Sequence, residues 1–189
     1  MKRSLLIVLV VIVVVLIIPI MFLAGSYNDL VSLDEQVNGS WAQVENQLKR
    51  RADLIPNLVE TVKGFADQEK DVLIGVTEAR SKVMKADSPE EFADANNQLT
   101  NALQGLNVVV ERYPELKSNQ NFIQLQDELA GTENRIAVAR KDYNESAKIL
   151  NSKIRKFPTN IVAGIFGIDK REYFEVSEED QEVPDVEFE

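Results

Sequence analysis

Apolar residues recur along this chain in two ways. From residue 5 to residue 24 they are continuous, twenty positions without a charge and rich in valine, isoleucine and leucine. As a helix this stretch would rise about 30 Å, the thickness of a bilayer's hydrocarbon core. Beyond Gly25-Ser26, a hinge by composition, the pattern becomes periodic. Leu30, Leu33, Val37, Trp41, Val44 and Leu48 stand three or four apart, a single stripe along a helix expected over 27–51. Asp53 suits an N-cap and Pro56 a first helical turn, where backbone N–H groups lack partners anyway, so a second helix is expected over 54–86. Leu58, Val62, Phe65, Val72, Val76, Ala79 and Val83 supply its stripe. One long helix kinked at Pro56 is the alternative.

Ser88-Pro89-Glu90-Glu91 is a start signal with a mechanism: serine as N-cap, proline at the first helical position and glutamate three residues on. It opens a third helix over 89–113, which Pro114 ends. The fourth, over 116–156, places Phe122, Leu125, Leu129, Ile136, Tyr143, Ala147, Leu150 and Ile154 at spacings that sum to heptads, as in a coiled coil. No alternating run bounded by turn residues suggests a strand. Short connections make neighbouring helices antiparallel. The expected architecture is therefore all-α: an N-terminal transmembrane helix, 1–25, followed by an elongated up-and-down four-helix bundle with an apolar C-terminal segment, 157–174. Alternation places the helix 1–2 and 3–4 connections together at the end away from the membrane.

Charge gives the apolar stretch a direction. Lys2 and Arg3 precede it and no lysine or arginine follows until Lys49, so the N-terminus is expected in the cytoplasm and the bundle outside, on a single-pass protein of the bacterial cytoplasmic membrane. A cleaved signal peptide is the competing reading, given the small residues Ala24, Gly25 and Ser26. The apolar run exceeds the roughly 7–15 residues usual for such signals, which favours a retained anchor.

Composition narrows the chemistry. Cysteine and histidine are both absent, which removes thiolate nucleophiles, disulfides, imidazole bases and the ordinary zinc sites. The net charge of -10 argues against nucleic acid as a partner. Eight acids and no lysine or arginine fall in residues 175–189, the composition of a disordered acidic tail.

Several motifs in one order then carry a resemblance. Tyr27-Asn28-x-Leu30-Val31, the run from Leu48 to Val59 and Tyr113-Pro114-x-Leu116-Lys117 are followed by Thr132-Glu133-Asn134-x-Ile136, Ala139-Arg140-x-x-Tyr143-Asn144 and Phe157-Pro158-x-Asn160. Over about residues 26–175 the chain resembles the LemA family. That resemblance implies a bacterial membrane protein with a four-helix domain, in a family with no established substrate, cofactor or catalytic residues, some members of which are associated with building magnetosome membranes. Family members anchored as lipoproteins carry a cysteine where this chain has Ser26.

Candidate sites are few, and each has a plainer explanation. Glu60, Glu111, Glu128 and Glu133 could be imagined around a metal, but the di-iron pattern needs histidines, and surface charge or pairing between helices explains them better. A carboxylate acid and base of the glycosidase kind would need a cleft that a closed bundle does not offer. Thr132, Glu133, Asn134 and Arg140 interrupt the fourth helix and suit a hydrogen-bonded network that fixes register. Arg50 and Arg51, with Lys49, suit a helix C-terminus; expected beside Tyr113, they would also form a surface for a protein partner. Ile165, Phe166, Tyr173 and Phe174 are expected either to pack on the bundle or to contact the membrane interface. The expected function is accordingly a non-enzymatic scaffold at the bilayer, without cofactor or metal, acting through a protein partner or its own copies. The alternative is a sensor or adaptor that binds a small molecule or polypeptide and regulates a membrane protease.

Overall fold

The computed structural model describes residues 2–174; the expected acidic tail, 175–189, lies outside the described residues. The fold is all-helical: α1 (Lys2–Ala66), α2 (Lys70–Lys85), α3 (Pro89–Arg112), α4 (Pro114–Lys117), α5 (Gln120–Ile154) and α6 (Thr159–Phe166), with no strand among the described residues. Among the described residues no helix is long and apolar enough to cross a membrane. The expected span, 5–24, falls partly on positions whose side chains lie outside the described set.

Two expected interruptions of the first helix do not occur. Gly25-Ser26 is no hinge, since α1 passes straight through it with Ser26 buried. Nor does the chain break between Arg51 and Asp53; the first two expected helices are largely one, and the turn falls at 67–69. Pro56 therefore sits in a helix interior, where its missing N–H leaves the carbonyl four residues back without a partner. That carbonyl belongs to Ala52, which is fully buried. The fold repairs it from outside the helix: Arg80 of α2 donates its Nε–H to the Ala52 oxygen at 2.9 Å.

Among the described residues the helices pack as two compact units, 2–41 with 145–171 and 42–144 with 172–174. In the first unit, Leu30 and Val37 of α1 bury themselves with Ala147 and Leu150 of α5 and Val162 and Ala163 of α6. Polar pairs fix α1 against α5: Ser40 with Ser146 at 2.9 Å and Asp29 with Lys153 at 3.5 Å, so one number rises as the other falls and the helices are antiparallel. Gly167, at φ 67°, ends α6 in the left-handed region that glycine alone adopts cheaply. The chain then returns along α5, where Asn151 exchanges two hydrogen bonds of 2.8 Å with the backbone of Arg171. Arg171 reaches on to Asp34 at 2.8 Å and Asn38 at 3.0 Å on α1.

In the second unit, four helical segments alternate in direction. Arg51 bonds Asn96 and Gln68 bonds Tyr113, a constant offset that makes α1 and α3 parallel. Gln47 with Arg135 and Arg50 with Glu128 run oppositely, so α5 is antiparallel to α1. The three-residue connections at 67–69 and 86–88 fold α2 back between α1 and α3. Ser88 caps α3 as expected, accepting from the Glu91 N–H at 3.2 Å, while the Glu91 carboxylate accepts from the Asp87 N–H at 3.0 Å. Asn119 caps α5 in the same way, accepting from the Phe122 N–H at 3.0 Å. The heptad residues Phe122, Leu129, Ile136 and Tyr143 are buried, as are Leu48, Ile55, Leu58, Leu99 and Leu106 on α1 and α3. Each such large apolar side chain stabilises the unit by roughly 1.5–3 kcal/mol. Phe65, expected in the stripe, is largely exposed because it lies in the last turn before the connection.

The repair of Pro56 sets up a double-mutant cycle. Arg80→Met should destabilise the protein by about 1–3 kcal/mol, since it strands a buried carbonyl. In a Pro56→Ala background, where residue 56 itself donates to Ala52, most of that loss should vanish. Denaturant unfolding of the four proteins in detergent measures the coupling.

Candidate functional site

The densest polar group in the second unit centres on Arg51, which is 5% exposed. Its NH1 donates to Asn96 Oδ1 at 2.6 Å and Thr100 Oγ1 at 3.2 Å, and lies 2.6 Å from Glu133 Oε2. Asn96 and Thr100 stand one helical turn apart on α3, so one guanidinium reaches both. Burial pushes the Arg51 pKa below the ordinary arginine range; Glu133 opposes that shift and Arg140 adds to it. Arginine stays protonated at any ordinary pH all the same. Glu133 is half-exposed and so links this buried cation to solvent. Thr132 beside it is fully buried and turns its hydroxyl back to the Leu129 carbonyl at 2.7 Å. One guanidinium, that of Arg51, thus holds an amide, a hydroxyl and a carboxylate from two other helices, an arrangement that sets helix register.

The LemA family model matches residues 40–188, most of the chain and all of this network. The chain belongs to the LemA family. Among its curated relatives is Magnetosome protein MamQ 1 of Paramagnetospirillum magneticum, 28% identical over 175 residues, which covers 79% of this chain and 64% of the relative. Magnetosome protein MamQ 2 of the same organism matches equally. Protein LemA of Metamycoplasma hominis is 28% identical over 158 residues, 82% of this chain and 71% of its own length. This chain thus spans under two thirds of the magnetosome relatives' length. None of these names is that of an enzyme.

The LemA-family structure separates residues that the sequence grouped. Arg51 is not a surface residue but the centre of the network. Arg50 is exposed and paired with Glu128 at 3.3 Å. Tyr113 does not join them; its hydroxyl donates to Glu69 at 3.2 Å and accepts from Gln68 at 2.6 Å, tying α3 to the 67–69 turn. From Arg51 to the end of α1 at Ala66 is fifteen residues, about 22 Å of helical rise, because the expected break after Arg51 is absent. The supposed partner surface of Arg50, Arg51 and Tyr113 is therefore not one surface.

Four carboxylates also part company: Glu111 pairs with Lys117, Glu128 with Arg50 and Glu133 with Arg51, while Glu60 faces solvent. Among the described residues no group of three or more such ligands is placed to hold a metal. An open depression of about 690 Å³ lies between α1 and α5, lined by Asn57, Thr61, Gln124, Glu128 and Arg135.

The apolar C-terminal segment divides too. Phe174 is buried, its ring 5.3 Å from that of Tyr143 and under the Arg140 guanidinium at 5.3 Å, with its backbone held at both ends by Asn144. It is a packing anchor and not a membrane contact. Tyr173 is partly exposed. Ile165 and Phe166 remain open on α6, and Phe166 stacks against Tyr27 with ring centroids 4.4 Å apart. The sequence reading missed Asn96, Thr100, Asn144 and Asn151. A polar side chain at a core position was the available signal for Asn96, one turn before the core residue Leu99.

The half-exposed carboxylate makes the network asymmetric. Glu133→Ala leaves a buried cation beside Arg140 and should cost about 3 kcal/mol. Arg51→Met leaves a carboxylate that water can reach and should cost about 1–2 kcal/mol, mainly from the unsatisfied Asn96. The double variant should be no less stable than Glu133→Ala alone. Thermal unfolding of the three proteins ranks them.

Proposed function

We propose that this LemA-family protein is a non-enzymatic, membrane-anchored helical scaffold of the bacterial envelope. Residues 5–24 cross the cytoplasmic membrane once, with the N-terminus inside and the helical units outside. One observation carries the reading: the helix that contains the apolar stretch is also the helix that bears Arg51, so anchor and packing core are one continuous element. A span joined this way keeps the packing core tethered at the membrane, which is what a scaffold requires. The names of the magnetosome relatives, together with the family resemblance, support membrane organisation as the process.

The second unit holds a register-fixing network around Arg51. The depression between α1 and α5 is open, which suits contact with a protein better than the enclosure of a small molecule. A scaffold works through contacts, and exposed apolar side chains such as Val108 on α3 and Val138 on α5 are available to make them. A photo-crosslinking residue placed at each of these positions in the full chain, in cells, should trap discrete adducts with a second copy or another envelope protein. Recovery of isolated monomer from every position would overturn the scaffold reading.

A further inference from the structure

Helix α6 is apolar nearly all round, and its own unit covers only one side of it. Val162 and Ala163 face inward, whereas Ile161, Ile165 and Phe166 are 52%, 65% and 52% exposed. Phe157, just before the helix, is 80% exposed. A helix with two apolar faces needs a second apolar environment. Its position in the first unit says which one. Phe166 stacks on Tyr27, and Tyr27 lies three residues, about 4.5 Å of helical rise, past the end of the apolar stretch of α1. If that stretch fills the hydrocarbon core, Tyr27 and α6 stand at headgroup level, where aromatic side chains concentrate.

Charge agrees with this placement. Residues 152–171 hold five basic side chains and one acidic, in a chain of net charge -10. Lys153 is engaged by Asp29 and Arg171 by Asp34. Arg155, Lys156 and Lys170 are left exposed at the two ends of the apolar segment. Basic residues flanking an exposed apolar face are the composition of a helix that lies in the plane of an anionic membrane surface.

We infer that α6, with Phe157, Ile161, Ile165 and Phe166 downward and Arg155, Lys156 and Lys170 on the lipid phosphates, is an interfacial foot resting in the headgroup region of an anionic leaflet. The inference rests on the proposal that residues 5–24 span the membrane. It adds a second attachment, which fixes the tilt and rotation of the first unit on the bilayer as a single span cannot.

The chain contains no cysteine, so a single introduced one reports its own site. Full-length Ile165→Cys, labelled with a polarity-sensitive fluorophore, would be reconstituted into vesicles of phosphatidylglycerol and phosphatidylethanolamine carrying nitroxide lipids quenching at shallow or deep positions. Ile161→Cys serves as a second foot site, Val15→Cys as the span site and Ile123→Cys as a site on the second unit. The foot sites should be quenched by the shallow nitroxide several-fold more strongly than Ile123, and less in vesicles of phosphatidylcholine alone; Val15 should be quenched by the deep one. Val15 quenched with both foot sites unquenched would overturn the foot and leave the span intact, and blue-shifted emission there would point to a covering protein or second copy. Val15 and the foot sites all unquenched would overturn the span and the foot together.

Discussion

The hydrogen bond from Arg80 to the Ala52 carbonyl decides where the first long helix ends. A proline inside a helix ordinarily costs about 3 kcal/mol, through a lost N–H and a stranded carbonyl. Here the stranded group is buried, so water cannot relieve it, and the guanidinium from α2 does so instead. With that satisfied, α1 runs on to Ala66 and the turn moves from the neighbourhood of Arg51 to 67–69. The offset between α1 and α3 follows. Arg51 then faces Asn96 and Thr100, and Tyr113 faces the turn residues Gln68 and Glu69.

The Arg51 network is a consequence of that register and also its lock. A buried guanidinium demands acceptors from every helix it touches, so α1, α3 and α5 are matched at one level by Asn96, Thr100 and Glu133. Apolar heptads alone would let α5 slide by one heptad, about two turns, because Leu129 and Ile136 fill equivalent places in the core. A slip would leave Arg51 without its carboxylate. The polar interruption at Thr132 and Glu133 thus lowers the apolar content of α5 in exchange for a single alignment.

Local signals were legible in the sequence where local chemistry decides. Ser88-Pro89-Glu90-Glu91 started α3 at the expected residue, and the stripes from Leu30 to Leu48 and from Phe122 to Leu150 supplied the core. Around Pro56 the sequence left a break or one long helix open, because what makes the proline tolerable is Arg80, a residue on another helix that no local pattern connects to Ala52. Arg51 was misread for the same reason, since its charge suggests a helix end until Asn96 and Glu133 are seen beside it. The five consecutive polar residues from Asp67 to Asp71 were the available sign of the true turn. For Phe174 the sequence left packing and membrane contact both open, because composition does not distinguish a side chain exposed to lipid from one stacked on Tyr143 and Arg140.

The proposed anchor and the register lock both depend on α1 being a single helix from its apolar start to Ala66. Amide hydrogen exchange on the full-length protein in membranes tests this directly. The amides of residues 53–55 and 57–60 should exchange slowly, as in a continuous buried helix, and those of 67–69 quickly. Fast exchange at 52–54 together with protection through 67–69 would mean two helices joined before Pro56, and would contradict the account.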